Sequence, residues 1–191
     1  MKTKLLASLI LFTFCAKLNA QWIQTNGPYG GQTTAIASNA TDLFATFSYG
    51  KISHSIDNGI TWTDVSNGLS SDPIQCITIN GANIYAGTNG GGIFKSINNG
   101  NTWFGINNGL NSTVINDIAV SGTTLFAASS NGNVGMYKST NNGGSWTIAN
   151  NGMTAQNIQQ IAISGNNIFA AAYNNGGIYL STDNGNSWTP K

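Results

Sequence analysis

The chain has 191 residues, only 7% of them charged, and it carries neither arginine nor glutamate: seven lysines face six aspartates. A surface so poor in positive charge excludes a phosphate-tracking nucleic-acid binder, which needs a basic stripe. Asn, Ser, Thr and Gly must supply the polar surface, and regularly placed Trp, Ile, Phe and Tyr argue for a packed core rather than disorder.

Residues 1–20 stand apart. Lys2 and Lys4 precede an apolar run from Leu5 to Cys15, and Leu18-Asn19-Ala20 ends in a small residue. This is the layout of a secretory signal peptide cleaved after Ala20. The run is shorter than the roughly 20 residues a membrane helix needs. A secreted or cell-surface location with no membrane span in the mature chain is therefore expected. From Gln21 onward Lys51, Lys95, Lys138 and Lys191 stand against Asp42, Asp57, Asp64, Asp72, Asp117 and Asp183, a net charge of −2. Cys15 leaves with the signal, so Cys76 is alone and cannot join an internal disulfide or a multi-cysteine metal site. Its surroundings, IQCITI, make it a small packed apolar residue of a strand.

The mature chain, 21–191, repeats. Its five tryptophans, at 22, 62, 103, 146 and 188, are spaced by 40, 41, 43 and 42 residues, a period suited to β-propeller blades of four short strands. Gln21-Trp22-Ile23-Gln24 opens it as an orphan outer strand, 21–25. Four complete units follow, at about 33–65, 74–106, 115–149 and 158–191. Each begins with a first strand (TTAIAS, IQCITI, INDIAV, IQQIAI), then a Gly/Asn turn and a second strand (DLFATF, NIYAGT, TLFAAS, NIFAAA). A Gly/Asn-rich loop leads to the third strand (KISHS, GIFKS, GMYKS, GIYLS), and the fourth opens on the tryptophan (WTDV, WFGI, WTIA, WTPK). β-branched and aromatic alternation between such turns is the signature of strands. An all-β propeller of four-stranded antiparallel blades is expected, with four complete repeats that can belong to a larger ring.

Between third and fourth strands the same octet recurs: SIDNGITW at 55–62, SINNGNTW at 96–103, STNNGGSW at 139–146 and STDNGNSW at 181–188. Its parts suit a tight reversal. Asp57, Asn98, Asn141 and Asp183 can accept backbone amides two residues on. Gly59, Gly100, Gly143 and Gly185 permit positive φ. Ser55, Ser96, Ser139 and Ser181 can satisfy further main-chain groups, and Trp62, Trp103, Trp146 and Trp188 offer apolar surface between sheets. The octet resembles the Asp-box, or BNR repeat, of sialidase-like propellers, with Asn in place of Asp in the two middle copies. The resemblance implies that the boxes lie on the blade periphery, away from the ligand face, and have a structural role.

The resemblance does not extend to sialidase chemistry, which needs an arginine cluster and a Tyr/Glu pair; this chain has neither Arg nor Glu. A binding or interaction scaffold for glycan or protein, without catalysis, cofactor or metal, is the expected function. The alternative is a fragment of a propeller glycoside hydrolase of the xyloglucanase kind, using two aspartates. Asp64, Asp72 and Asp117 are the candidates near interblade loops, and His54 is expected to be an exposed strand residue. Loops joining second to third and fourth to first strands share one rim, where Tyr49, Asp72, Asn89, Asn111 and Tyr173 are the candidate ligand contacts. The last unit already has its own fourth strand, so the orphan strand completes nothing within it. Further blades or self-association are the expected remedies.

Overall fold

The computed structural model describes residues 27–28, 31–131, 134–174 and 176–191; the predicted signal peptide and orphan strand lie outside these. The first sheet comprises β1 (Thr33–Ser38), β2 (Leu43–Phe47), β3 (Ile52–Ser55) and β4 (Thr63–Asp64). The second comprises β5 (Ile74–Asn80), β6 (Asn83–Thr88), β7 (Ile93–Ser96) and β8 (Phe104–Gly105). The third is β9 (Ile115–Ser121), β10 (Thr124–Ser129), β11 (Met136–Ser139) and β12 (Thr147–Ile148), and the fourth β13 (Ile158–Ser164), β14 (Asn167–Ala172), β15 (Ile178–Ser181) and β16 (Thr189–Pro190). Every sheet is an antiparallel meander in chain order. The expected strands are present, but the fourth is only two residues long, and each octet's tryptophan stands just before it.

The first strands of successive sheets pack side by side, β1 on β5, β5 on β9 and β9 on β13, which makes them the inner strands of four blades arranged in an arc. Three apolar cores lie between the blades. Phe44, Ile52 and Val65 of blade 1 meet Ile74, Ile77, Ile84 and Trp103 of blade 2. Tyr85 and Ile93 meet Ile115, Ile118, Leu125 and Trp146, and Phe126 and Met136 meet Ile158, Ile168 and Trp188. Among the described residues, each buried apolar cluster joins two blades. A two-faced sheet with apolar residues on both faces must bury each on a neighbour, as repeat architectures do.

Each inner strand also carries one extra residue. Pairing with the second strand skips between Thr33 and Ala35, Ile74 and Cys76, Ile115 and Asp117, and Ile158 and Gln160. The bulge has a cause in the side chains: Ile74 with Ile77, and Ile115 with Ile118, enter the same core although they are three residues apart. Strict alternation would send them to opposite faces, and a bulge brings them to one.

Candidate functional site

The octets form the outer turns of the blades. In all four the serine hydroxyl accepts the amide of the glycine four residues on, at 2.8–2.9 Å. It also donates to Oδ1 of the Asp or Asn at the third position, at 2.7–3.0 Å. That Oδ1 accepts the amide of the Thr or Ser four residues further, at 2.8–3.0 Å. The expected acceptance two residues on is thus corrected to four, because the chain makes a wider loop around the side-chain Oδ1. Asn58, Asn99, Asn142 and Asn184 precede the glycines and are themselves left-handed, with φ of 55–57°. Asparagine occupies this position in every copy and is among the few residues that tolerate it.

Aspartate and asparagine serve equally because the neighbouring hydroxyl reverses its role. Thr61 donates to Asp57 Oδ2 at 2.6 Å and Ser187 to Asp183 Oδ2 at 2.5 Å. In the middle copies Asn98 Nδ2 donates to Thr102 at 2.9 Å and Asn141 Nδ2 to Ser145 at 3.0 Å. The Thr61 hydroxyl, then its amide and Ser55, hold the Asp57 carboxyl down at about 2. Ser187 lowers Asp183 in the same way.

The tryptophans connect blades. The indole N–H of Trp103 donates to the Val65 carbonyl at 2.7 Å, Trp146 to Ile106 at 2.8 Å and Trp188 to Ala149 at 2.8 Å, each on the preceding blade. Trp62 instead donates to Gly59 of its own turn at 3.0 Å. The turns after the fourth strands lock onto these tryptophans: a methyl group on Gly68, Gly109 or Gly152 would collide with the carbonyl oxygen of Trp103, Trp146 or Trp188.

The opposite ends of the blades form the loop rim. There Asn89 donates its amide to the Pro73 carbonyl at 2.8 Å, and Gly90 and Gly92 donate to Thr113 at 3.0 and 2.9 Å, so one loop joins the linkers on both sides. Tyr49, stacked on Phe47 with ring centres 5.4 Å apart, precedes Gly50, which abuts Ser70 and Ser71; Gly90 and Gly91 abut Asp72. Tyr49, Asp72 and Asn89 are thereby gathered about the first linker. Asn111 lies on the next linker, its amide donating to the Tyr137 hydroxyl at 3.1 Å. Tyr173 is at the far end of the arc. It is 59% exposed and, with Ser130, Thr154, Gln156, Asn157 and Asn174, lines a cleft of about 480 Å³ between blades 3 and 4. Thr154 is held against the Tyr179 hydroxyl at 2.8 Å, and Asn157 accepts the Tyr173 amide at 2.9 Å. The five rim candidates therefore occupy three places rather than one.

A second concavity lies along the inner strands. It has a volume of about 480 Å³ and is lined by Thr34, Gln75, Asn116 and Gln159, the four bulge residues, with Asp117 and Gln160 beside them. Asp117 is not near an interblade loop as expected. It belongs to an inner strand, where Oδ1 accepts the Ile118 amide and Oδ2 the Ile161 amide, both at 2.8 Å. Burial raises its carboxyl despite these bonds. The bulge residues were missed by sequence reasoning, although the Ile-x-x-Ile spacing in three first strands is the signal for them.

Two further carboxylates are held in ion pairs on blade 1. Asp64 pairs with Lys51 at 3.1 Å, and Asp42 meets His54 Nε2 at 2.6 Å. His54 is corrected from exposed to largely buried, its ring stacked on Phe44 at 4.3 Å. Among the described residues no group of three or more His, Cys, Asp or Glu could hold a metal ion, and no helix is long and apolar enough to cross a membrane.

No family model matches the chain, and no curated protein does. Solved structures do. An ancestral GH74 enzyme is similar over 85% of this chain at 19% identity and a TM-score of 0.67, with 24% of the enzyme covered. The computationally designed Ika4 protein is similar over 86% of this chain and 98% of its own, at 11% identity and a TM-score of 0.66. YCF48, solved bound to D1 peptide, is similar over 82% of this chain and 52% of its own, at 16% identity and a TM-score of 0.60. The chain thus spans about a quarter of the GH74 enzyme and about half of YCF48. What these likenesses share is the propeller fold.

Proposed function

We propose that the chain is a secreted, non-catalytic propeller scaffold, with its octets acting as structural Asp-boxes and its loop rim binding a neutral glycan. The observation that carries this reading is the cleft between blades 3 and 4. An exposed tyrosine stands over hydroxyl and amide side chains with no charged group in the lining, a chemistry suited to sugar rings: apolar face on aromatic, hydroxyls on amides. Absence of catalysis is part of the proposal. Four of the six aspartates are engaged in outer turns or edge pairs, and both oxygens of Asp117 accept backbone amides. No pair remains to act across a glycosidic bond. A peptide ligand is the second reading, favoured by the neighbour YCF48 with its D1 peptide.

A glycan array with a peptide-array arm tests both. A neutral oligosaccharide signal lost at least tenfold in Tyr173→Ala supports the first reading. Binding on the peptide arm alone supports the second, and turnover of a xyloglucan oligosaccharide by the pure chain would replace both with the hydrolase.

A further inference from the structure

The two ends of the arc mirror the faces that meet inside it. On the face each blade turns to the next, Phe44, Tyr85 and Phe126 recur on the second strand and Ile52, Ile93 and Met136 at the start of the third, all fully buried. Blade 4 presents Phe169 and Ile178 at these positions, the first half-buried and the second 49% exposed. On the opposite face Ile77 and Ile118 are buried, whereas Ile36 of blade 1, at the same position, is 67% exposed. Trp62 is only half-buried where its three counterparts are buried. Polar groups follow suit. Between blades 3 and 4, Asn116 Nδ2 donates to the Ile158 carbonyl at 2.7 Å and Asp117 accepts the Ile161 amide. Gln159 and Gln160 occupy those two positions on blade 4, and the matching backbone groups of blade 1 belong to Thr33 and Ile36.

Blade 1 departs from its sisters at two places on this face. Ser38 stands where the others have Ile79, Val120 and Ile163, and Ser53 where they have Phe94, Tyr137 and Tyr179. Phe47, which is buried, replaces Thr88, Ser129 and Ala172 on the adjoining strand, so aromatic volume moves from one strand to its neighbour. The ends do not satisfy one another within the chain: β1 and β13 do not pack together as β1 does on β5.

We infer that the occupant of each end face is a second copy of this chain, joined head to tail so that blade 4 of each covers blade 1 of the other. The argument is continuity with the three interfaces inside the arc, which set both the apolar and the polar complement. Two copies make eight blades, within the range of closed propellers, and a rotation that closes consumes every open face. The inner strands of both copies then enclose one complete channel around the bulge residues.

Light scattering on the purified chain at micromolar concentration reads the mass directly, and twice the chain mass is expected. Ile178→Lys, on the trailing face, and Ile36→Lys, on the leading face, should each give the single-chain mass, since a buried ammonium blocks the face that carries it. Ile97→Lys, at an exposed position of an outer turn, should stay double. Mixing the trailing and leading variants should restore a double-mass species, because each keeps the face the other lacks. A single-chain mass for the unsubstituted protein would assign the faces to further blades or another protein and overturn the inference. So would a double mass that Ile36→Lys leaves intact, or variants that fail to complement when mixed.

Discussion

At the scale of residues, the octets make one turn from two chemistries. Where the third position is a carboxylate, the Thr61 or Ser187 hydroxyl donates to it; where it is an amide, Thr102 or Ser145 accepts. Asp57→Asn should therefore preserve the turn and change stability mainly through charge. The sign follows from the carboxyl being held at about 2, below its usual 3.8. Its stabilising contribution is full above about pH 4 and is lost as pH falls towards 2. The stability advantage of the natural chain over Asp57→Asn should shrink over that window in urea titrations; parallel curves from pH 6 to pH 2 would contradict the bond pattern. Tryptophan offers a sharper contrast. Trp103→Ala removes a side chain only 5% exposed and its bond to the preceding blade, and should cost roughly 3–5 kcal/mol. Trp62→Ala, at a half-buried side chain bonded within its own turn, should cost about half that or less by the same measurement. Equal losses would mean that the interblade contact contributes little.

At the scale of elements, the fourth strands are too short to hold the blades together by pairing alone, since each contributes two residues to its sheet. The linkers after the first three fourth strands supply the rest. Trp146 donates its backbone amide to Asn108 at 2.9 Å, and Gly109, with φ of 88°, lies against the Trp146 carbonyl. A methyl at Gly109 meets two obstacles: the left-handed backbone, worth about 1–2 kcal/mol for an L-residue, and a backbone oxygen that cannot move aside. Gly122, φ 61°, has the first obstacle with open space around it. Gly109→Ala should therefore destabilise by clearly more than Gly122→Ala in paired thermal melts. Similar shifts would show that the linker yields to the blade rather than fixing it.

At the scale of the whole molecule, the cores lie between blades, so no blade can open without disturbing its neighbours. Cys76 reports on this, being 7% exposed in the core between blades 2 and 3. Burial, reinforced by the nearby Asp117 charge, pushes its thiol well above the usual range, and the thiolate is the form that reacts. Labelling of Cys76 by a neutral thiol reagent should be at least 100-fold slower in the native chain than in denaturant. It should also accelerate in step with destabilising substitutions such as Trp146→Ala. Fast labelling of the native protein would place a local opening at this interface.

The period of the tryptophans, the four strands of each unit and the turn octets were all legible in the sequence, because each depends on contacts within a few residues. Left-handed turns select Asn-Gly wherever they occur, and strand alternation needs only the two faces of one sheet. The rim tyrosine at 173 was legible too, as an aromatic in a Gly/Asn loop. Its partners were not: Ser130 and Thr154 come to Tyr173 from other loops, and only the packing of blade 3 on blade 4 brings them together. The concavity along the inner strands depends on the same packing. Asn116 reads as an ordinary strand residue and Asp117 as a carboxylate near an interblade loop, until the bulge turns both towards the neighbouring blade, where Ile158 and Ile161 supply their backbone partners. Local sequence determined what each blade is; the angle between blades, set by side chains dozens of residues apart, decided which residues meet.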